Sequence, residues 1–97
     1  MVKDLENEFT GVGDTSGFKF TKLNSTDKGF FYSVDVGEGK CHYEVFEKKF
    51  VPICLDFEKK IFSETEFKYI YPKSEAFGKW AWCIVDYNKA VEKFKSL

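Results

Sequence analysis

From residue 17 onward apolar and polar positions alternate with a period of two, the pattern of strands with one buried face. Phe18 and Phe20 share a face, with Lys19 and Thr21 on the other, in a strand reaching about Leu23. Residues 24–29, Asn-Ser-Thr-Asp-Lys-Gly, read as a turn. Phe30, Tyr32, Val34 and Val36 then alternate with Phe31, Ser33 and Asp35 in the clearest strand of the chain. Gly37-Glu38-Gly39-Lys40 predicts a tight hairpin turn. Residues 41–50 return as the partner strand, with Tyr43 and Val45 on one side and Phe46, Lys48 and Phe50 on the other. The expectation is a three-stranded antiparallel meander.

Pro52 cannot donate to a ladder and points to an edge or a strand start, so residues 53–57 read as a short strand or an irregular crossing. Residues 63–71 fit two periods. Ser63 and Glu66 form a capping box ahead of Phe67, Ile70 and Tyr71, while Phe67, Tyr69 and Tyr71 fit a strand. A short aromatic run ending at Pro72 favours a strand or a short turn. Ser74 caps a single helical turn closed by Gly78. Trp80, Trp82 and Ile84 then alternate with Ala81, Cys83 and Val85, which predicts a central strand with both tryptophans on one face, as core anchor or as binding patch. Asp86 is an N-cap for a closing helix whose Tyr87, Ala90, Val91 and Phe94 form one stripe, with Lys89, Lys93 and Lys95 toward water. Residues 1–16 show no period and read as a weakly ordered acidic arm followed by a Gly-rich loop. The fold expected is a single α+β domain over residues 1–97, an antiparallel sheet of four to five strands with one C-terminal helix packed on one face.

Composition narrows the function more by exclusion than by indication. No apolar run approaches the roughly 20 residues of a membrane span, and the N-terminus lacks a secretory h-region, so a cytoplasmic protein with no membrane partner is expected. The three cysteines, Cys41, Cys54 and Cys83, form no Cys-x-x-Cys pair and are expected to be reduced, mostly buried thiols. Neighbours on a strand point to opposite faces, so Cys41 and His42, the lone histidine, are poorly placed to share a metal. Every one of the fifteen basic residues is lysine, which removes the guanidinium fork for phosphate or guanine, and the net charge of −1 gives no strong pull on DNA. The lysine, phenylalanine and asparagine usage suits AT-rich coding, as in many phages and low-GC bacteria. Catalytic ingredients are thin: the carboxylate pairs Glu64/Glu66 and Asp56/Glu58 read as solvated edges, and the loop over residues 11–17 lacks the Gly-Lys-Ser/Thr ending of a phosphate cradle. No enzyme, no catalytic or metal residue and no cofactor is expected.

Aromatic residues make up 20% of the chain, twelve of them Phe. Each buries on the order of 150–250 Å², so some are expected at the surface, where they mark interaction faces. A helix on one side of a sheet leaves the other side available, and Phe31, Phe46 and Phe50 with Lys48, Lys49, Lys59 and Lys60 are the candidate binding residues there.

The motifs Tyr43-Glu-Val-Phe46, Tyr71-Pro-x-Ser-x-x-Phe-Gly-x-Trp-Ala-Trp82 and Ala90-x-x-x-Phe94 resemble a group of small phage and prophage proteins of no established function. The resemblance spans residues 42–94, with the stretch from Pro52 to Phe67 unlike the group. It implies an accessory gene of a mobile element, a context that often encodes inhibitors of host defences such as anti-CRISPR proteins. The expected function is a non-enzymatic inhibitor that binds a CRISPR nuclease or its guide RNA, so that the partner is a host protein or ribonucleoprotein. The alternative is a single-stranded nucleic-acid-binding accessory protein, with single-stranded RNA as ligand.

Overall fold

The structure is a computed structural model that describes residues 2–11, 13 and 16–97. Its centre is strand β4 (Gly29–Gly37), flanked by β3 (Lys19–Ser25) and β5 (Lys40–Glu47) in the expected antiparallel meander. The β4–β5 turn has its two central residues, Glu38 and Gly39, at φ of 57° and 74°, the pair of positive angles that matches the twist of a hairpin. β2 (Glu8–Thr10) and β8 (Ala81–Ile84) complete a five-stranded sheet in the order β2-β3-β4-β5-β8. The fold is α+β as expected, with α1 (Tyr87–Lys95) packed on this sheet.

The chain also builds a second sheet, which the hydropathy pattern only hinted at. After β5 it turns away at Lys48 and Lys49 into β6 (Phe50–Asp56) and β7 (Ile61–Tyr69), and β1 (Val2–Lys3) joins β7 in parallel to give the order β1-β7-β6. The break at Lys48–Lys49 separates Phe46 from Phe50, which were expected on one continuous strand. Pro52 lies in β6, the edge strand, where its missing N–H costs no ladder bond. Residues 63–66 bulge out of β7. There the Ser63 hydroxyl accepts from the backbone N–H groups of Thr65 at 3.2 Å and Glu66 at 2.8 Å. The capping chemistry written in the sequence is therefore used, but inside a strand instead of at a helix start.

Residues 2–10, which carry no period, are tied into both sheets. β1 pairs with β7 and β2 with β3, while Tyr32 Oη donates to the Glu6 carbonyl at 2.7 Å and Lys22 Nζ to that of Leu5 at 2.7 Å. The Gly-rich loop expected over residues 11–17 lies partly outside the described residues, Asp14 included.

Both faces of the five-stranded sheet are covered, contrary to the expected free face. Phe30, Tyr32, Val34, Phe20 and Phe46 meet Leu5, Phe9, Tyr69 and Tyr71 and the 3-10 turn Ser74–Ala76 on one side. On the other, Phe31 and Val45 meet Ala90 and Phe94 of α1. The 3-10 turn begins one residue earlier than expected: Ser74 lies inside it, Lys73 precedes it, and no side chain caps it. Asp86 caps α1 through Lys89 N–H at 3.2 Å, and of the expected stripe Ala90, Val91 and Phe94 pack inward, while Tyr87 in the first turn stays 52% exposed, touching the Phe31 and Tyr43 rings. The two tryptophans part company. Trp80 precedes β8 and packs on the first cluster, whereas Trp82 pairs with Val45 on the helix side, beneath the Lys93 ammonium at 3.9 Å from the ring centroid.

At the start of β4 the chain admits no side chain. A Cβ on Gly29 would lie 2.7 Å from the Phe46 carbonyl oxygen and would also collide with Leu97 Cδ1. Leu97 can move and the β5 backbone cannot, so Gly29→Ala is expected to destabilise the protein by about 1–3 kcal/mol. Leu97→Ala in the same chain should not rescue it. Urea unfolding midpoints of the single and double variants check this.

Candidate binding surfaces

The seven residues singled out from the sequence do not form one surface. Phe31 is 4% exposed beneath α1, within 5.5 Å of the Phe94 ring centroid. Phe46 is fully buried on the opposite face, against Phe30 and Tyr32. Neither can stack a base. Paired positions explain the split: Phe30 lies opposite Phe46 and Phe31 opposite Val45, and cross-strand partners share a face. Phe50 is 55% exposed at the root of β6, edge-on to Phe67 and Tyr69. Lys48 lies over the rings of Phe30 and Tyr69, at 4.8 and 5.0 Å, and Lys49 over Trp80 at 5.5 Å. Lys59 and Lys60 stand at the far end of β6, which at 3.3 Å per residue places them roughly 23 Å from the first pair.

What the structure does gather is apolar surface on the β6–β7 hairpin. Phe57 is 87% exposed and Leu55 62%, and Ile61 and Phe62 are about half exposed beside them. The turn holding them is ordered by its own chemistry. The Asp56 carboxylate accepts from Lys59 N–H at 3.1 Å, and Lys60 takes a φ of 54° to close it. β1 pairs with the hairpin near its root, at Phe67 and Lys68, and the molecule extends over 43 × 29 × 23 Å. The radius of gyration of 14.4 Å exceeds the roughly 12.5 Å of a round domain of this length. Sequence reasoning missed Phe57 because it adjoins Glu58-Lys59-Lys60, which reads as a solvated turn. The signal available was four large apolar residues, Leu55, Phe57, Ile61 and Phe62, within eight positions around a turn that needs none.

A second surface is a cleft of about 1000 Å³ between the N-terminal arm, the end of β7 and the turn leading to Trp80. Its floor is mainly apolar, and Lys3, Lys68, Lys73 and Lys79 stand among its lining residues.

The most organised polar group is buried. Glu44, 4% exposed, accepts from the Tyr71 hydroxyl at one oxygen and faces His42 Nε2 at 3.2 Å with the other. Cys83 lies opposite Glu44 on β8. Burial first, and then the Glu44 carboxylate, push up both the Tyr71 phenol and the Cys83 thiol. Both keep their protons at neutral pH, so the cluster holds neither an activated nucleophile nor a phenolate base. The Tyr71–Glu44 hydrogen bond latches Tyr71 onto β5 of the sheet. The three cysteines are free and, against expectation, exposed: Cys41 lies at the start of β5 beside the hairpin turn, and Cys54 and Cys83 lie on the edge strands β6 and β8. Among the described residues no three His, Cys, Asp or Glu side chains gather as a metal site, and no helix is long and apolar enough to cross a membrane.

No family model, no curated protein and no solved structure matches the chain.

The latch has a pH signature. Folding holds the protons of Tyr71 and Tyr32, whereas unfolded tyrosine releases its proton near pH 10. Above about pH 10 the unfolded state therefore binds fewer protons and stability falls with rising pH; below it the contribution is fully present. Tyr71→Phe should lower stability at pH 7 by about 1–3 kcal/mol, because the Glu44 carboxylate loses a partner. The same variant should flatten the alkaline decline, as read from urea midpoints between pH 7 and pH 11.

Proposed function

We propose that this is a non-enzymatic binding protein that engages a partner protein through the projecting β6–β7 hairpin. The observation that carries the reading is the exposure of Leu55, Phe57, Ile61 and Phe62 on an ordered, protruding turn. Apolar side chains of this size inserted into a complementary pocket are the kind of anchor that dominates protein interfaces. The absence of an activated side chain in the Glu44 cluster supports a role without turnover. The phage-like motifs direct the choice of partner to a host defence complex, a CRISPR nuclease or its ribonucleoprotein, which the protein would occupy and inhibit in the host cytoplasm. The single-stranded nucleic-acid alternative has lost Phe31 and Phe46 from its stacking platform, and its four lysines stand at opposite ends of β6.

The test is a plasmid-interference assay across a panel of CRISPR nucleases. In a susceptible host the wild-type protein should restore retention of the targeted plasmid. A Phe57→Asp/Ile61→Asp variant should fail to do so while remaining folded, because neither side chain is part of either core cluster, although a carboxylate at position 61 faces Asp56 across the hairpin and lowers the melting temperature somewhat. Full inhibition by that variant, or no inhibition of any nuclease by the wild type, would overturn the proposal.

A further inference from the structure

The geometry points to the lysine-rimmed cleft as a second site, one that takes an acidic peptide segment carrying a large apolar side chain. The floor is built by Leu5, Val51, Tyr69, Ile70, Ala76 and Trp80, contributed by three parts of the chain that meet only in the fold. Its volume of about 1000 Å³ is at the upper end of ligand sites and suits a few residues of extended chain.

Charge selects the occupant. Lys3, Lys68, Lys73 and Lys79 line the cleft, and among the described residues none of them has an ion-pair partner. Of the acids beside them, Asp4 is already held by Lys22 at 3.2 Å, which leaves Glu6 and Glu75 against four free ammonium groups. Lys48 over Tyr69 and Lys49 over Trp80 add two more positive charges behind the floor. An anionic ligand is therefore favoured over a neutral or basic one.

The rings decide between a peptide and a nucleic acid. Base binding needs free aromatic faces. Here Phe9 is stacked on Phe20 at 4.6 Å, Tyr71 meets Phe9, Phe20 and Phe46 edge-on, and the two remaining rings carry lysine ammonium groups. With no arginine in the chain there is also no fork to grip a phosphate or a base edge. Carboxylates set against single ammonium charges, with an apolar side chain seated on the floor, meet both constraints.

The inference shares with the proposed function only the premise that the ligand is a protein segment, and it concerns a different surface. It is tested with Trp82→Phe protein, in which Trp80 in the cleft is the single indole reporter. The probes are a capped hexapeptide of Asp and Glu with one Phe and one Leu, its lysine counterpart, and a short oligothymidylate. The acidic peptide should shift Trp80 emission saturably and more weakly as salt rises. Lys68→Glu/Lys73→Glu/Lys79→Glu should weaken it about tenfold, as expected for three exposed ion pairs. The milder Lys68→Gln/Lys73→Gln/Lys79→Gln variant should show a weaker salt dependence, with Lys3 the remaining lysine of the four. Lys59→Glu/Lys60→Glu and Phe57→Asp/Ile61→Asp should bind as before, so that failure here and failure of the hairpin proposal are read separately. No response to the acidic peptide at millimolar concentration, indifference to the cleft lysines, or tighter binding of oligothymidylate would overturn the inference.

Discussion

Strand β4 carries rings that must be buried on both of its sides at once. Phe30, Tyr32 and Val34 point one way and Phe31 the other, and none of the four is more than 4% exposed. Burying each such side chain contributes about 1.5–3 kcal/mol, so neither face could be left to water without losing a large share of a small domain's stability. The remaining elements can be understood as the two covers this demands. On the Phe31 side α1 suffices, and the dependence is mutual, because a nine-residue helix is marginal until Ala90 and Phe94 find the sheet. On the Phe30 side no α-helix is present among the described residues. The cover is assembled from the N-terminal arm, the end of β7 and the turn before β8, and the Tyr71–Glu44 bond fixes its middle.

The sequence shows those parts of the fold whose cause is local. The meander, the Glu38-Gly39 turn, the Asp86 cap and the helix stripe are each specified by neighbours a few residues apart, and each is present. What long-range pairing decides was not legible. Nothing around Lys48 and Lys49 announces that the strand ends there, since Phe46, Lys48 and Phe50 keep the period across the break. Trp80 and Trp82 keep period two as well, yet Trp80 stands before β8 begins and so escapes its alternation. At Ser63 the side-chain chemistry was readable and the element was not, because pairing with β6 overrides a capping preference worth about 1 kcal/mol. β1 and β2 are too short to show a period at all.

The same limit explains the candidate site. Phe31 alternates with Ser33 and Asp35, so its face reads as polar and available, and only the arrival of α1 beside Tyr43 and Phe94 makes it core. The aromatic excess was correctly a sign of exposed rings, but the most exposed one sits where charge hides it. Phe57 precedes Glu58-Lys59-Lys60, and in a linear reading three charged residues outweigh one ring.

Lysine chemistry ties the two surfaces to the fold. In a chain without arginine, ammonium groups serve as lids on aromatic rings: Lys22 and Lys48 over Phe30, Lys49 over Trp80, Lys93 over Trp82. These contacts let rings lie near the surface without presenting a bare apolar patch. Phe57, the most exposed ring, has no lid among the described residues, although Lys59 and Lys60 are two and three residues away, and Phe50 at the root of the hairpin is also bare. A ring covered by an ammonium group would have to shed it before meeting another apolar surface, and the bare rings of the hairpin carry no such cost. The cleft is organised the opposite way, with charge retained at the rim and apolar side chains below it. The tip thus exposes apolar area without charge beside it in contact, and the cleft sets apolar side chains among lysines.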